Sequence, residues 1–353
     1  MAVRKDNKGI LFTLPALGLL GFSILLPFLA AALMTLTNQR MLTPNPTEFV
    51  GLENYSRLLS VTVREVPREI DQQGEPVVDA DGNVVYQRLQ PILRSDPELR
   101  AYQTLTEFDV GPRRYAILAK DLVFWRALGN TFFFVLLVVP IQIGTALGLA
   151  LLVNQDFRGR TAFRTFFFAP VVTSMVVASI VWSFLYNENT GLINQLLGAI
   201  AGSGVVAINW LGSEALALPS IAIMSAWQGA GFQMLIILAG LQSVDQQLYE
   251  AARLDGASRW QQFRHVTLPG LRNTLIFVVI ATTIAAFGLF IQVDVMTQGG
   301  PNDATATLIY HAIRSGFREQ DVAYGASVAV IYFLLVLAVA LAQRRLTRSA
   351  DER

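Results

Sequence analysis

Long uncharged stretches recur along this chain, separated by shorter polar ones. No charged residue falls between Ile10 and Leu36, between Leu128 and Val153, between Thr165 and Tyr186, or between Ala215 and Leu241. Two further apolar runs cover 274–293 and 322–342. A helix needs about 20 such residues to cross a hydrocarbon core of about 30 Å. The pattern therefore predicts six spanning helices, at 10–36, 128–153, 165–186, 215–241, 274–293 and 322–342. The first run is longer than a signal-peptide core and reads as an uncleaved anchor.

One more uncharged segment, 191–212, competes for a seventh span. It carries Asn194, Gln195 and Asn209, with small residues around Gly202-Ser203-Gly204. Charge placement decides against it. With six spans, Arg4, Lys5 and Lys8 precede the first; Arg158, Arg160 and Arg164 fall in the second loop; Arg253, Arg259, Arg264 and Arg272 fall in the fourth. Arg344, Arg345, Arg348 and Arg353 follow the last span, while the third loop has no basic residue and the fifth only Arg314 and Arg318. Cytoplasmic loops concentrate Lys and Arg, so both termini are expected in the cytoplasm. The segment 191–212 then becomes a short interfacial helix and loop on the outer side.

Composition agrees with a membrane protein: 53% hydrophobic and 15% charged, against about 25% charged in soluble domains. A net charge of +1, with no long basic run, argues against a nucleic-acid partner, and the absence of cysteine excludes disulfides and thiolate chemistry. The outer loop from Thr37 to Ala127 is far longer than a connection needs. Within it lies a polar insertion, 60–118, where Val77–Tyr86 reads as a β-hairpin with a Gly/Asn turn. Asp79, Asp81 and Asn83 give it a superficial likeness to a calcium loop, but Gln90 stands where the twelfth-position Glu is required, and no metal is expected. The resulting fold class is all-α and integral to the membrane, with six transmembrane helices and a small extracytoplasmic insertion between the first and second. Its parts are the tail and first span (1–36), the outer loop (37–127) and a core (128–353).

The most informative polar stretch is Glu250-Ala251-Ala252-Arg253-Leu254-Asp255-Gly256, followed by Leu268-Pro269. Ser243-x-x-Gln246 and Ser258-x-x-Gln261 each read as a capping box opening a helix. Gly256 is placed to end the first helix in a left-handed turn, and Pro269 suits the entry to the next span. Leu248, Ala251 and Ala252 share one helical face. The spacing from Glu250 to Pro269, with Val266 in place of the usual Ile, resembles the EAA loop of binding-protein-dependent ABC importers. Leu238-Ala239-Gly240-Leu241-Gln242-Ser243, Met296-Thr297-Gln298-Gly299-Gly300-Pro301 and Tyr324-Gly325-Ala326 resemble carbohydrate permeases of the maltose-permease type. So do Phe49–Tyr55 and Phe124–Thr131, at the two ends of the outer loop.

That resemblance implies a permease subunit of a prokaryotic inner (cytoplasmic) membrane, translocating a di- or oligosaccharide. The loop 243–269 would be its cytoplasmic coupling loop, with Glu250, Ala251, Ala252, Asp255, Gly256, Leu268 and Pro269 meeting an ATPase. Implied partners are a second homologous permease, two ATPase subunits, an extracytoplasmic substrate-binding protein and the lipid bilayer. ATP and Mg would belong to the ATPase subunits and no cofactor to this chain. None of the three lysines, Lys5, Lys8 and Lys120, sits in a phosphate-binding G-x-x-x-x-G-K-[ST] loop, so no catalytic residue is expected. Counting from the EAA motif carries the relative's sugar-contact positions onto Gln228, Gly229 and Phe232 in the fourth span. In the fifth the same count gives Thr282, Ala285, Ala286 and Leu289.

Neutral polar and aromatic groups are the types that bind sugars, but Gln228 could equally hold a neighbouring helix, and Gly229 and Gly231 permit close helix packing. A polyol or glycerophosphodiester-type substrate is the alternative. A secondary carrier is disfavoured by the near-absence of ionisable residues in the spans, and a membrane-anchored interaction protein is a further rival. His265, in the coupling loop, and His311, outside, read as ordinary solvated side chains.

Overall fold

The computed structural model describes residues 8–42, 46–72, 75–80, 83–201 and 207–351. Arg4, Lys5, Asp81, Gly82, Gly202, Ser203, Gly204 and Arg353, which figure in the readings above, lie outside them. The chain divides into two compact units, Met1–Trp125 with His311–Tyr332, and Arg126–Tyr310 with Phe333–Arg353.

In chain order, α1 runs Lys8–Leu20, passes through a π-helical turn at Gly21–Leu25 and resumes as Leu26–Met34. The segment 37–127 holds α2 (Glu53–Leu59), β1 (Val61–Val66), α3 (Leu89–Ser95), β2 (Gln103–Val110) and β3 (Arg113–Ala119). Then come α4 (Leu122–Val153), α5 (Arg160–Val172), α6 (Met175–Leu185), α7 (Leu192–Ala201) and α8 (Ala217–Gln242). The chain ends with α9 (Gln246–Leu254), α10 (Arg259–Gln262), α11 (Arg272–Phe287), α12 (Ile291–Met296), α13 (Leu308–Ile313) and α14 (Val322–Asp351). The structure is mostly helical. Among the described residues, four helices are long and apolar enough to cross a membrane, and the number is up to six if each of two bent helix pairs is one span.

Two of the runs read as unbroken helices are interrupted. The run 165–186 forms two helices, α5 and α6, that meet at 100°. Pro170 lies in the last turn of α5, where it has no N–H to return to the preceding turn. Thr173 and Ser174 then take extended ψ angles of 135°. The run 274–293 is also interrupted: α11 stops at Phe287, and α12 starts only at Ile291. With 16 residues, α11 is about 24 Å long. On its other side it meets the 259–270 segment at 67°.

Helix α7, with 10 residues, is too short to span. Asn194 folds the loop behind it, donating to the carbonyls of Glu188 and Ile208 at 2.9 Å and accepting from Trp210 Nε1 at 2.9 Å.

In the second unit α8 is the central helix. Ala146, Ala150 and Val153 of α4, Ala230, Met234, Ile237 and Leu238 of α8, and Val278 of α11 share one buried cluster. Lipid competes well for apolar surface, so such contacts depend on close approach. A Cβ on Gly231 would stand 2.2 Å from the Phe167 carbonyl of α5, which leaves no room for any side chain.

The insertion is not all-α. β1, β3 and β2 form an antiparallel sheet in that order, and Val66, Leu89, Leu93, Leu99, Ala116 and Leu118 fill its core. Each buried Leu there is worth roughly 1.5–3 kcal/mol against solvent exposure. The expected hairpin at 77–86 is present as a short antiparallel pairing: Val78 bridges Val84, the Asp79 N–H reaches the Asn83 carbonyl at 2.9 Å and the Val85 N–H that of Val77 at 2.8 Å, and Asp79 Oδ1 accepts the Asn83 N–H at 2.8 Å. The longer strands flank it on either side. Ahead of the insertion, Asn54 donates to the carbonyls of Thr35 and Thr37 at 2.8 Å each, tying α2 back to the end of α1.

Candidate functional site

Two places combine features that call for a partner or ligand: the polar elbow after α8 and a cavity along α8 itself.

The elbow is assembled from short-range hydrogen bonds. Asp245 caps α9, its carboxylate accepting the Gln247 N–H at 2.9 Å. Ser243, the expected cap, keeps helical backbone angles at the end of α8 and donates to the Gly240 carbonyl at 2.7 Å, so its hydroxyl is turned away from α9. Gly256 has φ +75°. Around it the Gly256 N–H reaches the Arg253 carbonyl at 3.1 Å, and the Ala257 N–H reaches that of Ala252 at 2.9 Å, the bond pair that closes a helix through a left-handed residue.

Ser258 and Gln261 then form a reciprocal capping box at the start of α10, at 2.7 and 3.3 Å. The Tyr249 and Thr267 hydroxyls, 3.0 Å apart, join the two arms beside Leu268 and Pro269. Leu248, Glu250, Ala251, Asp255 and Trp260 are exposed, Ala252 is half-buried, and Leu254 is 89% exposed. His265 is exposed as expected, with Nδ1 3.0 Å from the Gln261 carbonyl oxygen.

The cavity has a volume of about 320 Å³. Phe134, Val138 and Gln142 of α4, Ser225, Gln228 and Gly229 of α8, and Thr282, Ala285 and Ala286 of α11 form its walls. Both helix breaks open onto it, through Met175 on one side and Gly288, Leu289, Ile291 and Gln292 on the other. No lining residue is charged. Six of the seven positions marked in the sequence are thus brought together. The seventh, Phe232, is not part of the lining: it lies on the α8 face two turns beyond Ser225 and is 54% exposed.

Buried amides connect the walls. Gln142 Nε2 donates to Gln233 Oε1 at 2.7 Å, and Gln233 Nε2 donates to Thr282 Oγ1 at 2.9 Å, a chain of bonds from α4 through α8 to α11. Gln292 Nε2 reaches Ser225 Oγ at 3.3 Å. Gln228 Nε2 donates to the Thr173 carbonyl at 3.1 Å, supplying the partner that the α5–α6 break removes. Its nitrogen therefore holds helices together while the side chain still faces the cavity. Gln142 and Gln233 were not among the marked positions. Their signal was an amide in the middle of an otherwise uncharged apolar run, where an unsatisfied polar group costs several kcal/mol.

His311 corrects another expectation. It is 5% exposed, with Nε2 2.8 Å from Asp121 Oδ2, and Tyr324 donates its hydroxyl to the same oxygen. Asp121 Oδ1 accepts the Phe124 N–H at 2.8 Å, so one carboxylate caps α4 and gathers two distant side chains. Burial pushes the Asp121 carboxyl up, but the bond and charge of His311, with the bonds from Tyr324 and Phe124, outweigh it and hold the group below the usual carboxylate range. A sequence offers no local sign of such a grouping. In the other unit, Asn130 donates to the carbonyls of Asp303 and Ala306 at 2.9 and 3.0 Å, anchoring the turn after Gly299-Gly300-Pro301.

Residues 123–352 match the family described as binding-protein-dependent transport system inner membrane component. The chain is 34% identical over 245 residues to a probable ABC transporter permease protein of Bacillus subtilis (strain 168), covering 69% of this chain and 84% of that one. It is 33% identical over 239 residues to the trehalose/maltose transport system permease protein of Thermococcus litoralis, covering 68% and 80%. Among solved structures, a bacterial ABC transporter involved in the import of the acidic polysaccharide alginate shares the fold, with a TM-score of 0.59 at 22% identity, over 64% of this chain and 79% of that one.

Proposed function

Because the chain belongs to the binding-protein-dependent transport system inner membrane components, we propose that it is the permease of an ATP-driven importer for a neutral di- or oligosaccharide. The observation that carries this reading is the uncharged cavity walled by amides, hydroxyls and apolar side chains. Sugars are bound by a few placed polar groups within an apolar lining, and the Thermococcus relative is named for trehalose and maltose. A glycerophosphodiester would bring an ionised phosphate into a lining without a counter-charge, which is costly; a polyol would meet the same lining as a sugar.

In this reading the spans number six, with α5 and α6 together forming the third and α11 and α12 the fifth. Both termini are cytoplasmic, and the segment 37–127 with its insertion 60–118 lies outside, where a binding protein docks. A second permease and two ATPase subunits complete the complex, ATP and Mg residing on the ATPases. The exposed Leu248, Ala251, Leu254 and Trp260 give the elbow an apolar surface for an ATPase cleft, and Glu250 and Asp255 give it charge. Elbow and cavity are mechanically continuous: α10 leads through Pro269 into α11, which carries Thr282, Ala285 and Ala286. Closure of the ATPases on ATP would move the elbow and, with it, this cavity wall.

The test is reconstitution with those partners in liposomes. ATP hydrolysis is measured with neutral di- and oligosaccharides (trehalose, maltose and lactose among them), with sorbitol and with glycerophosphocholine. At least one neutral sugar should stimulate hydrolysis, and this chain alone should hydrolyse none. Stimulation confined to glycerophosphocholine, or uptake driven by an ion gradient without ATP, would overturn the reading.

A further inference from the structure

We propose that Gln142 is a sugar-contacting residue that decides which ligands the cavity accepts, presenting its amide oxygen to a ligand hydroxyl while Gln233 holds its amide nitrogen. The proposal rests on the carbohydrate reading above and adds a wall, α4, that the positions marked in the sequence left out.

The bonds from Gln142 to Gln233 to Thr282 run in one direction. Each amide nitrogen donates to the next oxygen, at 2.7 and 2.9 Å. Direction fixes what remains at the ends. Gln142 Oε1 accepts from no protein group among the described residues, and it belongs to a residue that lines the cavity. At the other end Thr282 Oγ1 is an acceptor toward Gln233. Thr283, its neighbour, donates its hydroxyl to the Val279 carbonyl at 2.7 Å, whereas Thr282 makes no such bond to its own helix. Its proton is left for the cavity. One acceptor and one hydroxyl donor thus stand on two different helices, α4 and α11, that line an uncharged space.

Gln142 is also fixed in place. A Cβ on Gly229 would fall 2.0 Å from Gln142 Nε2 and 3.3 Å from Oε1, so the amide lies directly on the bare backbone of α8. The partner chemistry follows from the ends of the chain of bonds. A sugar hydroxyl both donates and accepts, so a hydroxylated neutral ligand satisfies both walls at once. A ligand without hydroxyls there would leave both groups buried and unpaired, and sites of this kind reject such analogues strongly.

The experiment uses the reconstituted complex and the sugar of the panel that stimulates it most, with assembly of each variant checked by size-exclusion chromatography. Gln142→Met keeps the volume and removes the amide; the uptake rate from saturating sugar-loaded binding protein should fall roughly 10- to 100-fold. Gln142→Glu makes the contact depend on pH, and size-exclusion chromatography at each pH separates a lost contact from a lost helix packing. With its proton, the carboxyl can donate to Gln233 and still offer an oxygen to the ligand. Ionised, it loses that donor and puts a charge into the uncharged cavity. The ratio of variant to wild-type uptake should therefore fall steadily as the assay is moved from about pH 5 to about pH 8, a range that titrates carboxyls of altered environment.

Wild-type uptake by Gln142→Met, or a Gln142→Glu ratio independent of pH, would overturn the proposal. If Gln142→Met fails to assemble, the Gln142→Glu ratio decides alone. A wild-type complex that answers to no neutral sugar overturns the importer reading itself, and this proposal with it.

Discussion

Gly256 in the elbow and Gly229 in the cavity wall are both held to glycine, for opposite reasons. At Gly256 φ is +75°, and nothing lies within 4 Å of where a Cβ would be. Its own backbone demands glycine. Gly229 sits in an ordinary helix, and its Cβ site is taken by the Gln142 amide at 2.0 Å. A neighbour far away in sequence demands it. The elbow is a structure of mostly local bonds, made within a few residues apart from the Tyr249–Thr267 pair, that leaves an apolar face uncovered. The cavity is a structure of long-range bonds, in which side chains on three helices satisfy one another. The first kind presents a surface to something outside the chain; the second encloses a space within it.

The sharpest break in this comparison is Gln233→Leu. It removes the middle of the chain of bonds and leaves the Gln142 nitrogen without its acceptor and the Thr282 oxygen without its donor. Each unpaired buried group costs about 1–3 kcal/mol. The detergent-solubilised complex should lose several degrees of thermal stability in a scanning-fluorimetry melt while the elbow's hydrogen exchange stays as in wild type. An unchanged melting temperature would show that water already serves these amides.

Next in size is Asp121, a third polar group of the long-range kind but outside the cavity. Its folded-state carboxyl is held below the usual carboxylate range, so its contribution is complete above the unfolded value of about 3.9. It is lost as pH falls through the lower folded value. Hydrogen bonds to a charged group are worth about 1.5–3 kcal/mol. Stability measured by denaturant melts should thus fall as pH drops from about 4 toward 2, and Asp121→Asn should remove that part of the slope. An equal slope in the variant would assign the acid sensitivity to other carboxylates.

Gly256→Val tests the local side. With open space around the Cβ site, the cost is that of a left-handed backbone for a β-branched residue, about 1–2 kcal/mol. The same substitution should uncouple ATP hydrolysis from sugar uptake, because α9 and α10 would no longer meet at the angle that the helix-closing bonds set. Sugar-stimulated hydrolysis equal to wild type would mean that the elbow tolerates another shape.

How far each region was legible in the sequence follows from the same division. The Gly256 turn and the Ser258 cap were readable because residue type and spacing within a few positions determine them. The apolar runs were readable as helices and candidate spans because length and hydropathy determine those. Where the runs break was not: Thr173–Ser174 bends because Pro170 weakens one turn and Gln228, on another helix, donates to the freed Thr173 carbonyl. Gln142 and Gln233 were visible as amides in apolar runs but not as partners, since helix pairing is absent from a linear pattern. Phe232 stands outside the cavity lining, exposed two turns along α8 from Ser225, because a count along the chain does not give the depth of a cavity. His311 misled because a polar residue in an outer loop is solvated unless a distant Asp and Tyr converge on it. The sheet β1–β3–β2 was missed although Val61–Val66 alternates, because the hairpin signal at 77–86 was locally stronger.

The smallest expected effect bears directly on that lesson, because it compares two serines with the same sequence pattern. Ser258-x-x-Gln261 and Ser243-x-x-Gln246 both read as capping boxes, yet only Ser258 makes one, while Ser243 bonds the Gly240 carbonyl and Asp245 caps α9. Ser258→Ala should cost about 1 kcal/mol of local helix stability, the usual worth of an N-cap. Ser243→Ala should stay within about 0.5 kcal/mol, as for substitutions away from such features. Amide hydrogen exchange can resolve both, since the protection of Gln261 and Gln262 reports opening of α10 and that of Gln247 and Leu248 reports α9. Ser258→Ala should speed exchange in α10 by roughly fivefold, the factor that about 1 kcal/mol implies, and Ser243→Ala should leave α9 unchanged. If instead Ser243→Ala frees α9 as much as Ser258→Ala frees α10, then Ser243 caps α9 in solution, and the local pattern was the better guide to this elbow than its folded geometry.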